Sequence, residues 1–259
     1  EKYNRQFGSA NVVTAAIVAK RGTIYDEQFL EKVFALTDQI DKVEGVDHGQ
    51  ISSITAITIR DQEVDREGIM RSTQIIGEQA IALLEAQFFT RRTLRLAASR
   101  KTDTVPKTLD ELQAYASKRK AELVAELEPT KALRLEQMED RDEAERLRIL
   151  RKENAQLEFL ILRLGELPPG YTLDGEELSG SGGSLIPAEL MTTLPDRIHR
   201  NKQVFGRLVS LDDQAALISA GFIEGRLDYA AIFQEIYDLK RELEADGTVL
   251  AESQAIAEY

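Results

Sequence analysis

The chain has no cysteine, no tryptophan and only two histidines. Without cysteine there is no thiol nucleophile, disulfide, Fe–S cluster or thiolate-bound zinc. The same absence leaves the compartment open, because disulfide-free proteins occur in oxidising and reducing spaces alike. Positive charge is in deficit: 33 Lys and Arg stand against 45 Asp and Glu, a net charge of −12. Phosphate backbones need concentrated basic surface, so a nucleic-acid partner is not expected. Long apolar runs are missing too. The best candidates, 11–19 and 159–162, fall far short of the roughly 18–20 residues a membrane span requires. There is no signal peptide and no initiator methionine, which predicts a piece excised from something longer.

What is present suffices for a core. Apolar residues make up 42% of 259 positions, and a chain of this size buries about 70–75% of its unfolded surface as one large or two small domains. Residues 11–19 are rich in Val, Ile and Thr between Gly8 and Gly22 and read as a buried strand. In 26–43, Phe29, Val33, Leu36, Ile40 and Val43 recur at steps of 4, 3, 4 and 3, an amphipathic helix that Gly45 ends. A second strand is expected over 51–59, running on toward Val64. Helices follow over 72–99, over 108–128 and over 131–164. The second opens on the capping box Thr108-Leu-Asp-Glu111, and Pro129 breaks it. Leu147, Leu150, Asn154, Leu157, Ile161 and Leu164 form a heptad seam with one polar occupant, placed for packing on Leu109, Leu112, Ala116 and Leu123 or on another chain. Pro168-Pro169-Gly170 and the Ser179–Ser184 run read as a Gly/Ser-rich linker, natural or engineered. A short helix over 187–202 is interrupted at Pro195. Strands over 204–210 and 214–222 meet at Asp212-Asp213. A helix capped by Asp228 carries Tyr229, Ile232, Phe233, Ile236, Leu239 and Leu243, and 248–251 is a weak closing strand.

With the central helices set aside, the order is strand–helix–strand twice. The expectation is an α+β fold: a ferredoxin-like split βαβ layer with a large inserted α-helical hairpin or coiled coil. The expected domains are 1–66 with 185–259 as a discontinuous α/β layer, 67–167 as the insertion and 168–184 as the linker.

Several stretches outside the insertion carry a resemblance. They are Tyr3-Asn-Arg-Gln-Phe-Gly-Ser-Ala-Asn-Val-Val13, Glu44-Gly-Val-Asp47, Ile51-Ser-Ser-Ile54, Leu185-Ile-Pro-Ala-Glu-Leu190, Phe205-Gly-Arg-Leu-Val-Ser210 and Asp213-Gln-Ala-Ala-Leu-Ile218. In this order they resemble the first extracytoplasmic loop of RND-superfamily exporters, in the branch of the MmpL and hopanoid-transporter proteins. The resemblance covers a little under half the chain. It implies a porter-like domain on the periplasmic side of a bacterial inner membrane, part of a proton-driven exporter of lipid-like molecules such as sterols or hopanoids. It implies membrane attachment through flanking spans that lie outside this sequence. The family's proton-relay carboxylates lie in those spans, so none maps here, and the insertion departs from the simplest family pattern. The alternative is a non-transporting coiled-coil module that scaffolds an envelope protein complex through the hairpin.

No enzyme is expected, and neither cofactor nor metal. Walker, Gly-x-Ser-x-Gly and His-Glu-x-x-His motifs are all missing. His199 has Asp196 one helical turn before it and reads as an exposed histidine; His48 sits in the turn Gly45-Val-Asp-His-Gly49. Gly180, Gly182 and Gly183 lack the strand, lysine and helix start of a phosphate loop. The carboxylates between Glu136 and Glu145 alternate with arginines and read as ion pairs on a solvated helix. Arg91, Arg92, Arg95, Arg100 and Lys101 form the one basic cluster, read as a helix end at the negative pole of its dipole or as a contact for anionic head groups. The cargo-contacting residues are left unassigned.

Overall fold

The structure, a computed structural model, describes residues 11–19, 21–43, 45–64, 66–100, 103–133, 138, 140–223 and 237. Helix and strand are mixed, an α+β protein. The chain divides into two compact units, Glu1–Ile81 with Ala188–Tyr259, and Ala82–Pro187.

The first unit is built on a ladder between segments some two hundred residues apart. Strand β1 (Asn11–Val18) pairs antiparallel with β6 (Ala215–Phe222), in register from Asn11 opposite Phe222 to Val18 opposite Ala215. Val12, Val13, Thr14, Ile17 and Val18 supply the branched side chains that suit a pleated surface. The other edge of β6 accepts short bridges: Ser52 and Ser219 exchange backbone bonds of 2.8 and 2.9 Å, and Leu217 N donates to Leu208 O at 2.8 Å. Ala216, Ile218, Ala220 and Phe222 alternate along β6 and are buried. Gly221 lies between them because a Cβ there would come within 2.9 Å of Gln50 Cβ.

Helix α1 (Glu27–Asp41) starts where the Asp26 carboxylate accepts from Phe29 N at 3.1 Å. Its buried side chains Phe29, Leu30, Val33, Phe34, Leu36 and Ile40 include four of the five residues of the expected stripe, the fifth, Val43, is buried just past the helix end, and the helix packs on β6. Each such side chain contributes about 1.5–3 kcal/mol when removed from water. Thr37 lies among them and donates to the Val33 carbonyl at 2.7 Å. Its oxygen meets Ser53 Oγ at 2.8 Å and Thr55 Oγ1 at 3.1 Å, so the buried hydroxyls satisfy one another.

Four local expectations give way here. The strand expected over 51–59 is reduced to a bridge at Ser52, and the strand proper is β2 (Arg60–Val64), paired with β3 (Met70–Gln74). The turn at Gly68 (φ +78°) folds β3 back on β2, so β3 takes 70–74 from the expected helix. After Gly77 (φ +93°) that helix, α2, runs Glu78–Ser99. The segment 204–210 is a set of tight turns with bridges at Phe205 and Val209, bent at Gly206 (φ +78°) where Gly206 N donates to Val209 O. Helix α5 (Ala188–Arg200) continues through Pro195, with Leu194 and Ile198 buried on its inner face. Among the described residues the strands form three two-stranded ladders, β1–β6, β2–β3 and a third in the second unit. The helix expected after Asp228 and the strand at 248–251 lie outside the described residues.

The second unit is helical. Helix α3 (Leu109–Leu127) is capped by Thr108 Oγ1, which accepts from Glu111 N at 3.2 Å, while Glu111 Oε2 returns to Lys107 N at 2.8 Å. A 3-10 turn, Glu128–Thr130, ends it at Pro129. Helix α4 spans Arg141–Glu166 and begins ten residues later than expected, where Asp140 accepts from Asp142 N and Glu143 N. The two helices are antiparallel: Glu126 meets Arg146 and Arg119 meets Glu153, so partners advance in opposite directions. Leu112, Ala116 and Leu123 of α3 join Leu157, Leu160 and Leu164 of α4, with Phe89 and Leu94 of α2, in one apolar cluster. Residues 168–184, read from composition as linker, hold a hairpin of β4 (Thr172–Asp174) and β5 (Glu177–Ser179).

Candidate functional site

Polar side chains gather around the last turn of α5 in the first unit. Alternate positions of this turn serve different neighbours. On one side, Arg200 pairs with the buried Asp61 carboxylate of β2, Arg197 donates to the Gln74 carbonyl and to Thr73 Oγ1, and Asn201 Nδ2 donates to Arg60 O at 3.2 Å. These bonds fasten the β2–β3 hairpin to α5. An open cleft of about 640 Å³ lies beside them, lined by Thr73, Gly77, Glu78, Thr193, Asp196, Arg197 and Arg200.

On the other side, His199 meets Tyr25 and Asp213. His199 Nε2 lies 2.8 Å from Asp213 Oδ2 and 3.0 Å from Oδ1; Tyr25 Oη donates to Asp213 Oδ1 at 2.7 Å and lies 3.2 Å from the same imidazole nitrogen. The Phe205 ring flanks the imidazole with centroids 4.5 Å apart. Asp213 holds φ +56°, the one non-glycine at positive φ among the described residues. Its N–H donates to Ser210 O at 3.1 Å and its C=O accepts from Ile24 N at 2.8 Å, which fixes the carboxylate. Burial raises the Tyr25 pKa, and the hydrogen bond to Asp213 and that carboxylate's charge raise it further. Both effects favour the protonated phenol.

The sequence places His199 next to Asp196; the structure gives it Asp213 instead, fourteen residues away. His48 Nδ1 lies 2.7 Å from Asp41, and this hydrogen bond, then the charge of Asp41, raises the histidine's pKa. Among the described residues no three or more His, Asp or Glu are grouped to hold a metal ion.

In the second unit the seam residues Leu147, Leu157 and Leu164 are buried, while Leu150 and Ile161 pack partly buried against the apolar cluster. Asn154 is half-buried, with Oδ1 enclosed and without a hydrogen bond. The inner face of α4 also carries Glu153 and Gln156, which seam spacing does not identify. Glu153 accepts from Arg100 Nη2 at 2.7 and 2.8 Å and from Arg119 Nε at 3.0 Å. Burial is the largest influence and works against both arginine charges, but the hydrogen bonds to Glu153 and its charge, with the bond to Tyr115 for Arg100 and to Glu122 for Arg119, together outweigh it, and both pKa values rise. Arg100 also donates to Tyr115 Oη, which donates on to Asp103.

Much of the basic cluster is thereby engaged within the unit. Arg91 pairs with Glu177 at 2.5 Å and Arg95 with Glu176 at 2.9 Å, while Gln87 exchanges bonds with Glu176 O and Leu178 N, docking the β4–β5 hairpin on α2. Lys101 lies outside the described residues. Of the charged stretch before the seam, Glu143 and Arg146 are ion-paired as expected, and Arg146 reaches Glu126 as well. No described helix is long and apolar enough to cross a membrane. No family model, curated protein or solved structure matches this chain.

Proposed function

We propose that this chain is the periplasmic porter-type domain of a proton-driven RND-type exporter of lipid-like hydrophobic molecules. The observation that carries the reading is the β1–β6 ladder, which joins the first and last described strands with α1 packed on β6. A ladder shared by the two ends of the segment is what a single porter-type layer requires, while the helical insertion departs from the simplest pattern of the resembled family. The finer fold belongs to this proposal: a ferredoxin-like split βαβ layer with an inserted helical hairpin. In this reading the layer gates the cargo's path by hinge motion, without covalent chemistry, and the parent protein sits in a bacterial inner membrane through its flanking spans.

The test is transport by the whole parent protein. Reconstituted in liposomes with an imposed proton gradient, it should move a fluorescent or hopanoid lipid between leaflets or out of the vesicle, and an uncoupler should stop it. A parent without spans on either side of this segment overturns the proposal. The competing scaffold reading draws on Ile149, Phe159 and Leu162, which α4 leaves substantially exposed. It predicts a stable envelope protein complex that survives without a proton gradient and is lost on replacing these three residues with serine.

A further inference from the structure

We propose that the cleft beside the last turns of α5 binds a short peptide as a zwitterion, through its terminal ammonium and its terminal carboxylate. The cleft, of about 640 Å³, lies wholly within the first unit. Charges of both signs line it: Arg197 and Arg200 of α5, Glu78 at the start of α2, and Asp196 of α5. Among the described residues neither Glu78 nor Asp196 makes an ion pair, although both share the cavity with two guanidiniums. The arginines turn instead to the buried Asp61.

Arg197 is the group placed to take the carboxylate. Its side chain is only 18% exposed. Nη2 donates to Thr73 Oγ1 at 3.2 Å and to the Gln74 carbonyl, and Nε stands 3.8 Å from Asp61. Nη1 has no acceptor among the described residues. A Cβ at Gly77 would stand 3.7 Å from Nη1, so the missing side chain keeps this nitrogen open to the cleft. Enclosed N–H groups left unused are costly, and a carboxylate satisfies them with a charge-assisted bond. Asp61 pairs with Arg200, which leaves one positive charge for the ligand. Charge then selects the ligand class. An anion alone would be repelled by Glu78 and Asp196, and a cation alone by Arg197. A molecule with both ends meets each with its opposite. The cleft volume falls in the range that encloses drug-sized molecules, which favours a short peptide over a single amino acid. This binding goes beyond the export reading and does not depend on it.

Ala-Ala dipeptide titrated into the full, isotope-labelled chain should shift the NMR amide signals of Thr73 and Gly77 and saturate at one peptide per chain. N-acetyl-Ala-Ala, which lacks the ammonium, and Ala-Ala-amide, which lacks the carboxylate, should each bind at least tenfold more weakly. E78Q and D196N combined should weaken Ala-Ala at least tenfold without weakening the N-acetyl peptide, which offers those carboxylates no charge. Thermal melts establish that the double variant is folded; if it is not, the blocked peptides on the parent chain carry the test. Free alanine should bind at least tenfold more weakly than the dipeptide, and equal binding overturns the peptide assignment. No saturable shift overturns the proposal, as does equal affinity for free and blocked peptides or undiminished Ala-Ala binding in the folded double variant.

Discussion

Replacing Glu153 with glutamine removes the one carboxylate shared by Arg100 and Arg119. Its side chain is 8% exposed, and those of the two arginines are 28% and 19% exposed. Removing one partner of a buried ion pair costs about 3–5 kcal/mol, because the remaining charge is left uncompensated. Both arginines keep some contact with water, and glutamine still accepts one bond, so the cost falls to about 2–3 kcal/mol. At about 4–8 °C per kcal/mol for a domain of this size, the helical unit should melt roughly 10–20 °C lower. Urea unfolding followed by far-UV circular dichroism measures the change, and an unaltered m-value shows that the cost lies in the folded state. A second variant separates ion pairing from simple polarity. Arg100→Met, Arg119→Met and Glu153→Leu combined should recover most of the stability lost by Glu153→Gln, as an apolar replacement of a whole buried ionic group does. A loss below about 0.5 kcal/mol for Glu153→Gln would refute the reasoning, because that is what an exposed pair is worth.

Asn154→Leu should stabilise the helical unit by about 1–2 kcal/mol, since it removes an enclosed, unbonded oxygen; destabilisation in a urea titration would contradict this. Thr108→Ala should cost about 1 kcal/mol of helix stability through loss of the α3 cap, read by the same titration. Gly221→Ala should destabilise the first unit by about 1–3 kcal/mol through overlap with Gln50, and Gln50→Gly in the same chain, which removes the opposing Cβ, should restore part of it. His48 has a folded pKa above its ordinary value, so its pairing with Asp41 stabilises the fold fully at acidic pH and is lost as pH rises through the folded pKa. An NMR titration of His48 should show the raised midpoint falling toward the ordinary value in Asp41→Asn, and an unchanged midpoint would sink the assignment.

Sequence periodicity located α1, α3 and the strand β1 because each carries a strong local signal: a heptad-like stripe, a capping box, or a run of branched residues; β6, with Ile218 its one β-branched residue, was placed beside the Asp212-Asp213 turn. It missed β3 and the late start of α4. Met70–Gln74 has no apolar alternation, and its strand exists only because Gly68 turns it onto β2. The charged stretch after Lys131 has helix-favouring residues, yet Asp140 supplies the cap that fixes where α4 begins. The candidate site was half legible. His199 was visible as one of two histidines, but its partners Tyr25 and Asp213 are 174 and 14 residues away, and chain folding alone brings them together. Glu153 was hidden for a different reason. A carboxylate next to a leucine seam reads as solvated unless its arginines, here from two other segments, are already known to face it. Arg91 and Arg95 looked available for an outside partner until the β4–β5 hairpin, concealed in a glycine-rich stretch, supplied Glu176 and Glu177.

The fold of the first unit depends most on the antiparallel register of β1 with β6. The chain has no cysteine of its own, so a pair introduced at Thr14 and Ser219, which face each other in the ladder, reports on that register alone. Mild oxidation of the intact double variant should give a monomer with a closed internal disulfide, seen as altered mobility on a non-reducing gel. The off-register pair Thr14→Cys with Leu217→Cys should close far less. Closure only between chains, or equal closure of both pairs, would contradict the shared ladder.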